Sequence, residues 1–456
     1  MRYGIRDCIK KSLITTAIVS SLYPVSAMSQ TLEQAVAVTL DTNPQLQQAL
    51  SQFKAREEQG NQVFGDYLPT VDLTASYGFK QSSTPQSRLQ TEDMVDSESP
   101  EVGISIRQVL FNGFLTGHEL SRLDFEAKAD QLKLFATAED IALSVAKVYI
   151  NYLVEEQVVK LAENNVEKHQ LLFDQIKEKT ESGLGSSADL SQSKGRLARA
   201  NSNLMSAQNN LADARSEFIR VVNESPENVI VPMADQDKLP SSLEQAIEIA
   251  QKNNPILKSS NSDINAARSE REALKSNYYP EVTLELGGKW SDEKFDYENA
   301  LEGEDKELQA GIQLRYNLFN GGKDTSRVRE AAYRIDEAKS VHQNTSRDVR
   351  DGTTLAWNAN TFLAKQRDFI RTHVEASKET QSAYEQQFKL GQRSLLDLLD
   401  SENELFEARK SYLRAEFDEL VSQYRILHAT GQLISSLRVT TPENWNSEAT
   451  RQGESE

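Results

Sequence analysis

Leu318-Phe319-Asn320-Gly321-Gly322 reads LFNGG, and Leu110-Phe111-Asn112-Gly113-Phe114 reads LFNGF, 208 positions earlier. In a chain of 456 residues one shared tetrapeptide is expected by chance, so the flanks decide whether the pair means duplication. Leu32-Glu33-Gln34-Ala35 recurs as Leu243-Glu244-Gln245-Ala246, and Asn43-Pro44 as Asn254-Pro255, both 211 positions on. Tyr67-Leu68-Pro69 returns as Tyr278-Tyr279-Pro280 at the same offset. Gly103-Ile104 returns as Gly311-Ile312, and from there the offset is 208. Gly183, Ser186, Asp189 and Leu190 match Gly391, Ser394, Asp397 and Leu398 in that second register. An ordered series with one small gap is a duplication. The reading is two copies of one unit, 28–222 and 243–436, joined by a linker at 223–242.

Each unit has the same internal order. A short helix precedes Asn-Pro, whose proline suits a helix start because its missing N–H has no intrahelical partner to lose. A longer helix then stops ahead of Leu-Pro or Tyr-Pro, since the residue before proline resists the helical region. The period next changes to two. Val71, Leu73, Ala75, Tyr77 and Phe79 alternate with Asp72, Thr74, Ser76 and Gly78. Val102, Ile104 and Ile106 alternate with Gly103, Ser105 and Arg107. Val282, Leu284 and Leu286 alternate with Thr283, Glu285 and Gly287, and Leu308 to Leu318 continue the pattern. Strands are expected at about 70–80, 101–111, 281–290 and 307–319, each with one apolar and one polar face. Their length is near the ~10 residues of a transmembrane β-strand. Aromatics near their ends (Tyr67, Phe111, Tyr278, Tyr279, Trp290, Phe319) read as an interfacial girdle, and the long polar segments 81–100 and 291–306 as external loops.

After each LFNG comes a run free of proline, 115–182 and 323–389. At 1.5 Å per residue such a helix spans ~100 Å and needs a coiled-coil partner to cover its stripe. The helical stretches 187–222 and 395–436 supply it, after helix-ending glycines at Gly183 and Gly391. Ser186-x-x-Asp189 and Ser394-x-x-Asp397 resemble capping boxes that restart the chain. Phe111-Asn112-Gly113 and Phe319-Asn320-Gly321 are then strand-to-helix turns, in which the asparagine is expected to cap the following helix. Four strands cannot close a barrel, and an open edge in lipid is not viable, so the chain is expected to oligomerise.

Composition narrows the function. Only 20 glycines and 11 prolines favour long helices, and a net charge of −18 excludes nucleic acid as a partner. Arg2, Arg6, Lys10 and Lys11 precede an uncharged, mostly apolar run and a small-residue site at Val25-Ser26-Ala27, so residues 1–27 read as a secretory signal peptide. The sole cysteine, Cys8, lies inside it. Five scattered histidines form no metal-ligand spacing, and no phosphate loop or nucleophile motif appears, so no catalytic residue, cofactor or metal is expected. A polar tail, 437–456, is expected to be disordered.

Over nearly the whole chain after the signal peptide, these motifs resemble the TolC-type family of outer-membrane efflux and secretion channels. The stretch KLGQRSLLDLLDSENELFEARKSYLRA (389–415) is especially similar to that family's inner hairpin. The resemblance implies an α+β membrane protein: an internally duplicated protomer, forming a homotrimer with a twelve-stranded β-barrel in outer-membrane lipid and a periplasmic α-helical barrel. It also implies a periplasmic adaptor, met by hairpin tips at Gly183, Ser186, Gly391 and Ser394, and an inner-membrane transporter. In the family the tunnel closes at its tip. By motif, Arg393 matches the tethering arginine, Asp189 its partner on the other hairpin, and Asp397 and Asp400 the aspartates ringing the aperture. Phe388 stands where the family has a tyrosine, so one tethering hydrogen bond is expected to be missing. The stretch 195–229 looks like the type I secretion branch, which favours protein export, such as a large adhesin or toxin, over small-molecule efflux. A coiled-coil envelope protein without a pore is the alternative of another class.

Overall fold

The computed structural model describes residues 29–83, 88, 94–295 and 303–447. The expected signal peptide, most of the residues linking paired strands, and 448–456 lie outside them.

Each unit opens with a capped helix pair. Thr31 caps α1 (Leu32–Thr42) in a reciprocal box: its Oγ1 accepts from the Gln34 N–H at 3.3 Å and Gln34 Oε1 accepts from the Thr31 N–H at 3.0 Å. Asn43 Oδ1 accepts from the Gln45 N–H at 2.8 Å to start α2 (Pro44–Phe64), with Pro44 in the first turn. The second unit repeats this, with Ser242 and Asn254 as the capping residues.

β1 (Thr70–Ser82) and β2 (Val95–Phe111) belong to the first unit, β3 (Glu281–Phe295) and β4 (Gly303–Arg315) to the second. They form one antiparallel sheet in the order β1-β2-β3-β4. The register separates the two faces cleanly. Leu73–Ile104–Gly288–Leu308 and Val71–Ile106–Leu286–Ala310 line one, and Thr74–Gly103–Lys289–Glu307 and Ser76–Glu101–Ser291–Asp305 the other. On the apolar face Leu73 is 75% and Leu308 92% exposed, which water would not tolerate across a whole sheet. The polar face is laced by Lys289–Glu101 (2.9 Å) and Arg107–Glu281 (3.5 Å).

The strand ends differ from expectation. β2 begins at Val95 and β3 reaches Phe295, because backbone pairing continues after the side-chain alternation fades; Asp292 and Glu293 pair with Glu304 and Gly303 inside the ladder. The linking segments are correspondingly shorter than 81–100 and 291–306. β4 ends at Arg315, before Phe319, as Asn317 Oδ1 accepts the Phe319 N–H at 3.2 Å and turns the chain early.

α3 (Leu115–Glu181) and α4 (Ser187–Val222) form the first hairpin. After α5 (Leu243–Asn253) and α6 (Pro255–Leu274), α7 (Lys323–Lys389) and α8 (Leu395–Ala429) form the second. α3 and α7 each have 67 residues, ~100 Å of helix. α3 packs on α2 and α6, and α6 on α7. The helical wall thus runs α2-α3-α6-α7, the order of the strands that these helices enter or leave. α7 buries little in one chain: Leu355, Phe362 and Phe369, seven apart, are all exposed. Gly431 (φ 67°) ends the second hairpin against Asn254 and Pro255, and α9 (Leu433–Ser436) follows.

The main core is a belt between sheet and hairpin tips. Leu32, Val36, Leu40 and Phe53 meet Leu134, Tyr149, Leu153, Phe218 and Leu427 there. The Tyr149 hydroxyl lies 2.7 Å from the Gln30 carbonyl and 2.8 Å from the Ile230 carbonyl, binding the linker to the belt. The expected disorder from 437 on does not hold for 437–447. Trp445 is 2% exposed, stacks edge-on with Phe135 at 5.9 Å, and its carbonyl accepts from Gln131 at 2.9 Å. Leu437 is also buried in the main core with Val439 packed against it, so apolar anchors at both ends pin the segment.

Candidate functional site

Both hairpin tips are closed by the same backbone device. Gly183 (φ 81°) donates to the Thr180 carbonyl at 3.1 Å and Leu184 to the Lys179 carbonyl at 2.9 Å. Gly391 (φ 73°) and Gln392 repeat this on Phe388 (3.0 Å) and Gln387 (2.8 Å). These are Schellman closures, and the positive φ is why glycine stands at each tip. Ser186 and Ser394 then cap α4 and α8, accepting from the Ala188 N–H (3.1 Å) and the Asp397 N–H (3.2 Å). The reciprocal half of a capping box is missing in both: Asp397 Oδ2 instead accepts from the Ser394 hydroxyl at 2.9 Å.

Behind the tips the two hairpins are knotted together. Ile176, Leu395 and Leu399 are buried, with Leu172, Leu190 and Phe388 packed around them, apart from the main core. Each fully buried aliphatic side chain is worth about 1.5–3 kcal/mol. Phe388 lies inside this knot, with the Lys179 ammonium 5.4 Å over its ring. The first hairpin is therefore held through the phenyl ring where the expectation was only a lost hydrogen bond.

The expected Arg393–Asp189 tether is not formed within the chain. Arg393 lies over the Tyr384 ring at 4.2 Å, donates to Gln387 Oε1 at 2.9 Å and faces Asp397 at 3.7 Å, all on its own hairpin. These partners lie within nine residues along the chain and occupy the guanidinium locally. Asp189 sits in the first turn of α4 with no partner among the described residues, where it suits the helix dipole.

A different pair crosses between the hairpins. Arg196 of α4 binds Asp400 of α8 at 2.5 Å. Lys168 of α3 binds Glu402 of α8 at 3.2 Å, and the Gln381 amide of α7 donates to the same carboxylate. Arg196 is 24% and Asp400 55% exposed, so this pair is worth ~0–1 kcal/mol. Glu402 is nearly buried, so removing Lys168 leaves a carboxylate with one neutral donor, a larger loss. Asp400, expected in an aperture ring, is thus also the crossing carboxylate. Arg196 and Lys168 escaped the sequence reading. The only signal was two cations on helices that must face an Asp and Glu pair, and pairs 204 and 234 residues apart have no local signature.

The strand-to-helix turns also differ from expectation. Gly113 and Phe114 are both left-handed (φ 67°), as are Gly321 (59°) and Gly322 (78°). Two such residues set each asparagine outside the capping position. Asn112 donates its amide to Thr116 Oγ1 at 2.7 Å and accepts the Leu115 N–H on its carbonyl at 3.3 Å. Asn320 does the same toward Asp324 (3.5 Å) and Lys323 (3.1 Å). Phe111 stacks on Phe114 (5.3 Å) and Phe114 on Tyr279 (6.1 Å), joining the first turn to the second unit. Phe319 is exposed in the single chain.

Among the described residues no helix is long and apolar enough to cross a membrane, and no group of three or more His, Cys, Asp or Glu side chains is arranged to hold a metal ion.

The profile of the family described as Outer membrane efflux protein matches residues 36–224 and 246–432, one match per unit. The chain is 22% identical to outer membrane efflux protein BepC of Brucella suis, over 95% of this chain and 92% of that protein. It is 21% identical to alkaline protease secretion protein AprF of Pseudomonas aeruginosa, over 87% and 83%. The fold is similar to that of the Campylobacter jejuni CmeC outer membrane channel, with a TM-score of 0.75, 17% identity, and 93% and 89% of the two chains covered.

Proposed function

Because the chain belongs to the outer membrane efflux protein family, we propose that three copies form a channel-tunnel serving type I protein secretion. The observation that carries the channel reading is the two-faced sheet, open at both edges and continuous with a helical wall in the same order. Three copies bring twelve strands together, close the open edges in lipid, and cover the exposed stripe of α7. Phe111 and Phe319 then sit at the periplasmic membrane interface. A periplasmic adaptor meets the tips at Gly183, Ser186, Gly391 and Ser394, and an ATP-driven inner-membrane transporter supplies the energy.

The same three-fold arrangement brings Asp397 and Asp400 around one axis, where they attract cations. Arg196–Asp400 and Lys168–Glu402 act as the latch that holds the second hairpin against the first and keeps the aperture narrow. A weak, partly exposed pair such as Arg196–Asp400 suits a contact that must release.

A protein cargo is supported by the likeness to a protease secretion protein and by the stretch 195–229. The second reading, small-molecule efflux, is favoured by the likeness to an efflux protein at similar identity. Deletion of the gene separates them. Secretion predicts loss of one large protein from the medium with unchanged drug sensitivity, and efflux predicts the reverse.

A further inference from the structure

His169 lies on α3 beside the latch and takes no part in it. Its side chain is 5% exposed, and Nδ1 is buried without a hydrogen-bond partner among the described residues. An orphaned ring nitrogen in a native interior calls for an explanation. The surroundings make the position sharper. Lys168 precedes it on the same helix and Arg196 faces it from α4; both charges act on the ring. The carboxylates facing this place from α8 are already engaged, Asp400 by Arg196 and Glu402 by Lys168 and Gln381. On α7 the next carboxylate, Glu385, is bound by Lys389 at 2.7 Å and by Gln381 at 3.2 Å. A proton arriving on His169 therefore meets two cations and no free anion.

We propose that His169 is the acid-sensing residue of the latch, a neutral imidazole whose protonation drives the two hairpins apart. The proposal rests on the latch reading above and adds its regulation. Burial, then Arg196, then Lys168 hold the imidazole below its ordinary value while the hairpins are together. Separation returns the ring to water and to an ordinary imidazole near pH 6.5. The separated state then binds the proton more tightly. The latch is fully stable above the ordinary value and loses stability as pH falls through it toward the lowered one. His169 acts through Arg196 and Lys168, so it is a positioning residue whose signature is a pH profile.

The test is single-channel recording of the purified full-length protein in planar bilayers, from about pH 7.5 to about pH 5.5, on either side of the ordinary imidazole value. The mean conductance of the unsubstituted protein should rise at least about threefold on acidification. His169→Gln and His169→Phe, one polar and one apolar, should both flatten that response. A flat profile in the unsubstituted protein overturns the proposal. So does a rise retained by both variants. Arg196→Ala serves as the separate control on the latch. If it leaves the neutral-pH conductance unchanged, the latch reading fails. If it raises conductance while the His169 variants remain acid-sensitive, only the sensor is wrong.

Discussion

Gly113 is the residue on which the first strand-to-helix turn depends. It holds φ at 67°, and a Cβ added there would lie 2.6 Å from the Ser276 carbonyl oxygen and 2.9 Å from Tyr279 Cβ. The left-handed backbone alone costs an alanine about 1–2 kcal/mol, and backbone displacement adds to it. Gly113→Ala should therefore destabilise the folded chain by about 2–4 kcal/mol, read as a shift in its denaturant midpoint. The glycine and the turn were legible in LFNG, but the role of the asparagine was not. Local spacing does not reveal that Phe114, a non-glycine residue, is left-handed and displaces the capping position. Glu139 was invisible for another reason: its partners lie 294 and 295 residues away. Its carboxylate accepts from the Leu433 N–H (3.0 Å) and the Ile434 N–H (3.3 Å), beside the His428–Asp140 pair (2.7 Å). A cavity of about 540 Å³ adjoins it, lined also by Lys147, Asp348 and Arg425. Burial, opposed by the two N–H bonds and His428, pushes Glu139 up to about 7. The folded state then binds this proton more tightly than the unfolded one. Its contribution is present below the ordinary carboxylate range and is lost as pH rises through about 7. Between those limits the change amounts to about 3 kcal/mol, and Glu139→Gln should remove that slope from the stability-versus-pH curve.

At the scale of elements, the sheet is where the alternating pattern makes its firmest commitment. Leu73 and Thr74 are neighbours that point to opposite faces, Leu73 across from Ile104 and Thr74 across from Gly103. If the apolar face meets lipid, Leu73→Arg costs about 2–4 kcal/mol near the membrane midplane, whereas Thr74→Arg enters a polar lumen at little cost. Folding yield into vesicles should drop for the first and stay level for the second; equal losses would mean that the faces are misassigned. Strand existence and facing were legible because a period of two is a strong local signal. Strand ends were not, since pairing such as Ser82↔Val95 outlasts the alternation. The hairpins were legible through Gly183, Ser186, Gly391 and Ser394, which act on their own backbone within a few residues. For Arg393 the motif alone did not show that Tyr384 and Gln387, on the preceding turns, engage it within the chain. The packed segment ending near Trp445 escaped for a similar reason, since its one buried ring finds Phe135 only through the fold.

For the whole molecule, a single chain is visibly incomplete. β1 and β4 leave open edges, Phe362 and Phe369 are uncovered on α7, and Phe319 lies bare at the second turn, while its counterpart Phe111 is stacked. Copies arranged in a ring satisfy all of these at once, joining sheet to sheet and helical wall to helical wall. In the proposed latch the tube is closed by the crossing of the hairpins, where Arg196–Asp400 and Lys168–Glu402 add polar contacts to the knot of Ile176, Leu395 and Leu399. The most direct measurement is single-channel conductance at neutral pH, comparing the purified protein with its Arg196→Ala/Lys168→Ala double variant in planar bilayers. The latched channel predicts small discrete steps for the unsubstituted protein and steps several-fold larger for the variant. Discrete steps of equal size in both would contradict the latch, and no discrete conductance in either would contradict the channel.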